Sequence, residues 1–187
     1  MINIAIYASG SGTNAENIIN YFHNSLNVNV VMVLCNNPEA GVLERAVRLN
    51  VPSMVFSKSE LPGTLAILKE HSVDLIILAG FLLKIPDEII DNYRSRIINI
   101  HPSLIPNYCG PGMYGHHVHE AVIAAKERES GITIHLVDNQ YDHGEILFQA
   151  KCPIDAGDTP DDLAAKIHIL EQKHFPSVIE QYISSLV

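Results

Sequence analysis

The segment Asn99-Ile100-His101-Pro102-Ser103-Leu104-Ile105-Pro106 closes an apolar, strand-like run with an amide and an imidazole two residues apart. Alternate residues of a strand leave on one face, so these two side chains are presented together. An amide can donate a hydrogen bond to a carbonyl oxygen that gains negative charge, and an imidazole can hold or deliver a proton near neutral pH. The pairing suits acyl transfer. Pro102 and Pro106 fix their own φ angles and restrict their neighbours, so the segment is built to hold side chains in place. A polar residue and a His at a strand end are also ordinary loop chemistry, so the reading depends on the rest of the chain.

A second candidate is Ala8-Ser9-Gly10-Ser11-Gly12-Thr13-Asn14, which follows a buried-strand pattern and opens into a helix. Backbone N–H groups and hydroxyls converge there at the positive end of the helix dipole, where a phosphate fits. Gly10, Gly12 and Ala15 also match the dinucleotide fingerprint G-x-G-x-x-G/A. The next strand, however, ends in Leu34-Cys35-Asn36-Asn37, with no carboxylate for the ribose hydroxyls, and the P-loop lysine is absent. A tight glycine turn without a ligand is the remaining alternative.

These residues must be positioned by alternating elements. Strands are predicted at Ile2 to Tyr7, Val28 to Leu34, Ser53 to Phe56, Leu75 to Leu78 and Arg96 to Ile100. Helices are predicted at Asn14 to Phe22, Gly41 to Leu49 and Thr64 to Glu70, with a further one opening at Pro86-Asp87-Glu88, proline taking the first helical position. A helix from His117 to Arg128 then precedes two neighbouring strands, Gly131 to Val137 and Glu145 to Lys151. Thr159 caps the last helix with Pro160 at its first position, and Leu163, Ile167 and Leu170 recur at helical spacing. The alternation predicts an α/β fold with a mostly parallel central sheet and helices on both faces.

At 187 residues, 47% of them hydrophobic, the chain suits one domain with one substantial core. No apolar run is long enough to span a bilayer and no basic leader precedes the first strand, which predicts a cytoplasmic protein with no membrane partner. Three separated cysteines, Cys35, Cys109 and Cys152, read as reduced thiols. A net charge of −9 and a pI near 5.5 argue against nucleic-acid binding.

With the glycine loop, Asn99-x-His101-Pro-Ser-Leu-Ile-Pro and the downstream Tyr141-Asp142-His143-Gly144, the chain resembles the folate-dependent formyltransferases, specifically the glycinamide ribonucleotide transformylases, nearly end to end. The resemblance implies a Rossmann-like formyltransferase fold over residues 1–187. Its N-terminal half would bind the ribonucleotide phosphate and its C-terminal half would complete the folate cleft. It implies transfer of a formyl group from the co-substrate 10-formyltetrahydrofolate to the amine of glycinamide ribonucleotide, in purine synthesis. Asn99, His101 and Asp142 would then be catalytic. Asn99 and His101 would stabilise the oxyanion. Asp142 would raise the imidazole from about 6.5 toward or past neutrality and help order a proton-relaying water. By the same resemblance, Gly12, Thr13, Asn14 and His168-Ile169-Leu170-Glu171 bind the ribonucleotide, Glu171 taking the glycyl amine. Leu82, Leu83, Lys84 and Ile85, together with Asn99, Asp138, Asn139, Gln140, Tyr141 and Asp142, line the folate site, and His135 matches a histidine near it.

The segment Ser57 to Pro62 is shorter than in many members and has only Lys58 where they carry an arginine, while the Tyr108 to His117 loop is longer. For His116, His117 and His119 no nearby acidic or cysteine partner is expected to complete a ligand set, so no metal is predicted, and Cys109 has no assigned base. Formylmethionyl-tRNA transferases and formyltetrahydrofolate hydrolases share the His-Pro-Ser core, sugar-nucleotide formyltransferases are a further enzymatic alternative that tends to be longer, and a folate or nucleotide binder without turnover is the non-enzymatic alternative. A monomer and a homodimer are both compatible with the sequence.

Overall fold

The computed structural model describes residues 1–186. Among the described residues seven strands, β1 (Ile2–Ala8), β2 (Val28–Cys35), β3 (Ser53–Val55), β4 (Leu75–Leu78), β5 (Ile97–His101), β6 (Glu129–Leu136) and β7 (Ile146–Pro153), lie in the order β3-β2-β1-β4-β5-β6-β7, a mostly parallel sheet of the α/β class. The chain divides into two compact units, Met1–Ile98 and a second that begins at Asn99.

In the first unit, β1 (Ile2–Ala8) pairs in parallel with β2 (Val28–Cys35) and β4 (Leu75–Leu78), and β2 pairs in parallel with the short β3 (Ser53–Val55). Ile4 to Ala8 and Met32 to Cys35 are continuously buried, as expected of parallel strands with no solvent-facing side. Helices α1 (Thr13–Phe22), α2 (Gly41–Arg48), α3 (Thr64–Glu70) and α4 (Asp87–Asn92) alternate with them. Tyr7, fully buried in β1, keeps its hydroxyl satisfied 2.8 Å from that of Thr64 and packs edge-on against Phe56 and Phe81.

The second unit holds α5 (His116–Ala124), the antiparallel pair β6 (Glu129–Leu136) and β7 (Ile146–Pro153), and the long α6 (Pro160–Ser185). The boundary falls inside β5 (Ile97–His101), so Asn99 and His101 open this unit at the end of a strand. The hydroxyl of Thr159 accepts from the backbone N–H of Asp162 while the Asp162 carboxylate accepts from the Thr159 N–H, a reciprocal cap that starts α6 as the sequence predicts.

Three details depart from the sequence reading. Pro86 occupies the cap of α4 in extended backbone rather than the first helical position; both places tolerate its missing N–H. The helix expected to reach Arg128 ends at Ala124, because Lys126 takes a left-handed φ of 56° and the chain turns into β6 at Glu129. Residues Lys58–Gly63 form a 3-10 turn that the sequence pattern did not signal.

Candidate active site

Asn99, His101, His135 and Asp142 meet in the second unit. His101 is buried at the end of β5, and its Nε2 lies 2.8 Å from the carbonyl oxygen of Tyr108. A carbonyl only accepts, so Nε2 is the protonated nitrogen and Nδ1 faces Asp142 Oδ2 at 3.7 Å. The other carboxylate oxygen, Oδ1, lies 3.7 Å from Nε2 of His135, the penultimate residue of β6. Nε2 of His135 is in turn 3.1 Å from the Asn99 amide nitrogen.

Asp142 owes its place to an irregular loop. It adopts a left-handed φ of 50°, and the backbone N–H of Gly110 donates to Oδ2 at 3.0 Å, tying the loop after β5 to the carboxylate. Gly144 follows because nothing larger fits: a Cβ there would lie 1.8 Å from the Leu136 carbonyl oxygen. Asp138 organises the start of the loop by accepting from the backbone N–H of Gln140 at 2.8 Å, with His143 Nδ1 3.3 Å away. Asn139, Gln140 and Tyr141 are exposed beside it.

The electrostatics correct one expectation. Burial of the His101 ring, which disfavours the cation, outweighs the opposing pull of Asp142 and of the Tyr108 carbonyl, so its pKa lies below the ordinary histidine value rather than near or above neutrality. Asp142 moves the other way from what burial alone would do. The neighbouring His135 and His101 rings and the Gly110 N–H hold it below the usual aspartate value, and it stays ionised. The resting pair is therefore a neutral imidazole against a carboxylate. His119, on α5, is also buried and held below the ordinary value by desolvation and by the His116 and His101 rings; its Nδ1 has no hydrogen-bond partner among the described residues.

Elsewhere in the second unit, His168, Ile169, Leu170 and Glu171 follow one another on α6, with His168 Nδ1 3.5 Å from Glu171 Oε2. Ile169 is exposed.

In the first unit, Gly12 caps α1 with a left-handed φ of 79°, which opens the N–H groups around Thr13 and Asn14 without a side-chain cap. The turn is clamped by α2. Val42 N–H donates to the Gly10 carbonyl at 3.2 Å, and Arg45 Nε donates to the Ser11 carbonyl at 2.8 Å while its guanidinium, with that of Arg48, pairs with Glu16. Arg45 escaped the sequence reading because it stands 34 positions from its partner Ser11. The trace it leaves is the i, i+3 pair of arginines with Arg48. Ser9 was also not singled out: its hydroxyl donates to Asn36 Oδ1 at 2.6 Å and accepts from the Leu82 N–H at 3.0 Å. The hydroxyl thereby joins the glycine turn to the Leu82, Leu83, Lys84 and Ile85 segment. Of these four, Ile85 is core, Leu82 and Lys84 are exposed, and Lys84 Nζ lies 3.9 Å from Asp87. Among the described residues, no group of three or more His, Cys, Asp or Glu side chains is arranged to hold a metal ion, and no helix is long and apolar enough to cross a membrane.

Comparison with known proteins gives the same direction. The family model described as "Formyl transferase" matches residues 2–179. The chain is 37% identical over 185 residues to the chloroplastic phosphoribosylglycinamide formyltransferase of Arabidopsis thaliana, a match covering 94% of this chain but 63% of that protein. It thus spans less than two thirds of that plant relative. With the phosphoribosylglycinamide formyltransferase of Bacillus subtilis (strain 168) it shares 36% identity over 189 residues, 97% of this chain and 94% of the relative. The crystal structure of phosphoribosylglycinamide formyltransferase from Bacillus halodurans superposes with a TM-score of 0.90 at 33% identity, covering 99% of this chain and 97% of that one. The enzyme of the same name from Streptococcus pneumoniae TIGR4 gives 0.87 at 34% identity, covering 98% and 99%. The buried imidazole and the half-buried amide and carboxylate beside it sit on an architecture and a sequence that match over nearly the whole chain, and this chain belongs to the formyl transferase family.

Proposed function

We propose that the chain transfers the formyl group of 10-formyltetrahydrofolate to the amine of glycinamide ribonucleotide, in the cytoplasm, as a step of purine synthesis. Residues 1–187 act as a single formyltransferase domain. The first unit binds the ribonucleotide phosphate through Gly12, Thr13 and Asn14 and contributes Leu82 to Ile85 to folate binding. The second supplies the chemistry, the folate loop Asp138 to Asp142, and Glu171 with its neighbours on α6 for the glycyl amine. The reading draws support from the phosphoribosylglycinamide formyltransferase names of the relatives. The observation that carries it is the Asp142 carboxylate, one oxygen 3.7 Å from His101 and the other 3.7 Å from His135 beside Asn99.

The substrate amine attacks the formyl carbon; a C–N bond forms and the carbonyl π electrons move to oxygen. An N–H of Asn99 donates to the developing oxyanion. His101 starts with its single proton on Nε2, held by the Tyr108 carbonyl, so Nδ1 is free to take the proton the amine must lose. The imidazolium so formed faces ionised Asp142 and stabilises the oxyanion by charge. When the oxyanion collapses, the bond to the folate nitrogen breaks and Nδ1 returns one proton to that nitrogen. One proton has moved from amine to leaving group, with no metal and no covalent enzyme intermediate.

The test is folate release from the 10-formyl donor, followed by absorbance with and without glycinamide ribonucleotide. Release that requires the ribonucleotide supports the assignment. Release without it indicates a hydrolase, and tight folate binding with no release indicates a binding protein.

A further inference from the structure

His135 lies buried at the centre of this constellation, yet the reaction gives it no step. Its ring nitrogens face different groups. Nδ1 is 2.8 Å from the carbonyl oxygen of Leu136, an acceptor only, so Nδ1 bears a proton. While the ring carries that single proton Nε2 is a bare lone pair; its hold on the Asp142 carboxylate requires the doubly protonated ring. It lies 3.1 Å from Asn99 Nδ2, a donor, and farther, 3.7 Å, from Asp142 Oδ1, an acceptor. The backbone sets this arrangement: the β6–β7 register shifts between Ile134 and His135, an irregularity of the kind that re-aims side chains at the end of a strand.

We propose that His135 is a positioning residue that fixes the hand of the Asn99 amide. An asparagine side chain turned over about its last bond keeps its shape and exchanges its oxygen for its nitrogen. Turned over here, Asn99 would set its carbonyl oxygen against the Nε2 lone pair, two acceptors in contact. Held as it is, it gives one N–H to His135 and keeps the second for the formyl oxygen. A Leu136 carbonyl, through one imidazole, thus decides whether Asn99 meets the oxyanion as donor or acceptor. The proposal rests on Asn99 being the oxyanion donor, as proposed above.

The test is a double-mutant cycle in formyl transfer, with ring ¹⁵N shifts of His135 recorded on the unsubstituted protein. His135→Ala is expected to lower kcat about tenfold, the scale of one hydrogen bond, with KM for the ribonucleotide within about twofold. In an Asn99→Ala chain the same substitution is expected to cost nothing further. His135→Gln, whose carbonyl can accept from Asn99, is expected to recover part of the loss. The ¹⁵N shifts are expected to show a protonated Nδ1 and a bare Nε2. An undiminished His135→Ala loss in the Asn99→Ala chain overturns the proposal, as does a protonated Nε2. So does a loss that vanishes only in an Asp142→Ala chain, since that routes the effect through the carboxylate. Full turnover of Asn99→Ala alone instead removes Asn99 from the chemistry, while the ring shifts still report the hydrogen bond itself. If His135→Ala does not fold, His135→Gln and the ring shifts decide.

Discussion

Replacing Gly12 by alanine tests whether the glycine turn is held by close packing against α2. Gly12 has a left-handed φ of +79°, and a Cβ there would lie 2.5 Å from Cβ and Cγ2 of Val42 and 2.6 Å from its Cα. Val42 is fully buried, so it has little room to retreat. The left-handed backbone costs an L residue about 1–2 kcal/mol. Forcing extra volume into a packed site costs about 1–3 kcal/mol more. The sum, about 2–5 kcal/mol, is a large part of the about 5–15 kcal/mol by which a domain is stable. Urea unfolding followed by circular dichroism reads it as a midpoint lowered by about 1 M or more, given slopes of about 1–3 kcal/mol per M. Two of the clashing atoms, Cα and Cβ of Val42, survive in alanine, so the Gly12→Ala cost should be nearly as large in a Val42→Ala chain. A Gly12→Ala protein within about 0.5 kcal/mol of the parent, the range of ordinary surface changes, refutes the packing argument. So does a cost that disappears in the Val42→Ala background.

Buried His101 and His119 both lie below the ordinary histidine value, so the unfolded chain binds protons first as pH falls through about 6.5. Stability should therefore drop between pH 7 and pH 5, and His101→Gln should flatten that slope in a series of melting temperatures; a parent that melts no earlier at pH 5 contradicts this. The titration of Asp142 itself acts in a separate window, its contribution present above about pH 4 and lost on further acidification; because its charge also partly offsets the burial that lowers His101, Asp142→Asn should keep or steepen the slope from pH 7 to pH 5, never flatten it. Thr159→Ala removes the cap of α6 and should cost about 1 kcal/mol in urea unfolding; an unchanged midpoint would show that the cap contributes nothing. Arg45→Met frees the Ser11 carbonyl and should raise the ribonucleotide KM several-fold with kcat little changed, whereas an equal fall in kcat alone would detach Arg45 from substrate binding.

What could be read along the chain was what is encoded locally. Continuous apolar runs such as Ile4 to Ala8 declared parallel strands, Thr159-Pro160-Asp161-Asp162 declared a helix start, and the two-residue spacing of Asn99 and His101 placed both at one strand end. What escaped depends on groups that a sequence pattern does not display. The Tyr108 partner of His101 is a backbone carbonyl on a residue with a left-handed φ of 54°. The lowered basicity of His101 reflects how deeply the whole fold buries it, which outweighs the one carboxylate that the motifs do reveal. Arg45 and Ser11 are neighbours only after β2 has returned the chain to the glycine turn. The left-handed Lys126 that ends α5 early has no glycine or asparagine to announce it.

As proposed, a preorganised Asn99, His101 and Asp142 perform the formyl transfer. Single-turnover formyl transfer to glycinamide ribonucleotide by a folded His101→Ala protein tests it most directly. The expected rate is lower by on the order of a hundredfold or more, with ribonucleotide binding retained; a rate near that of the parent would remove His101 from the chemistry.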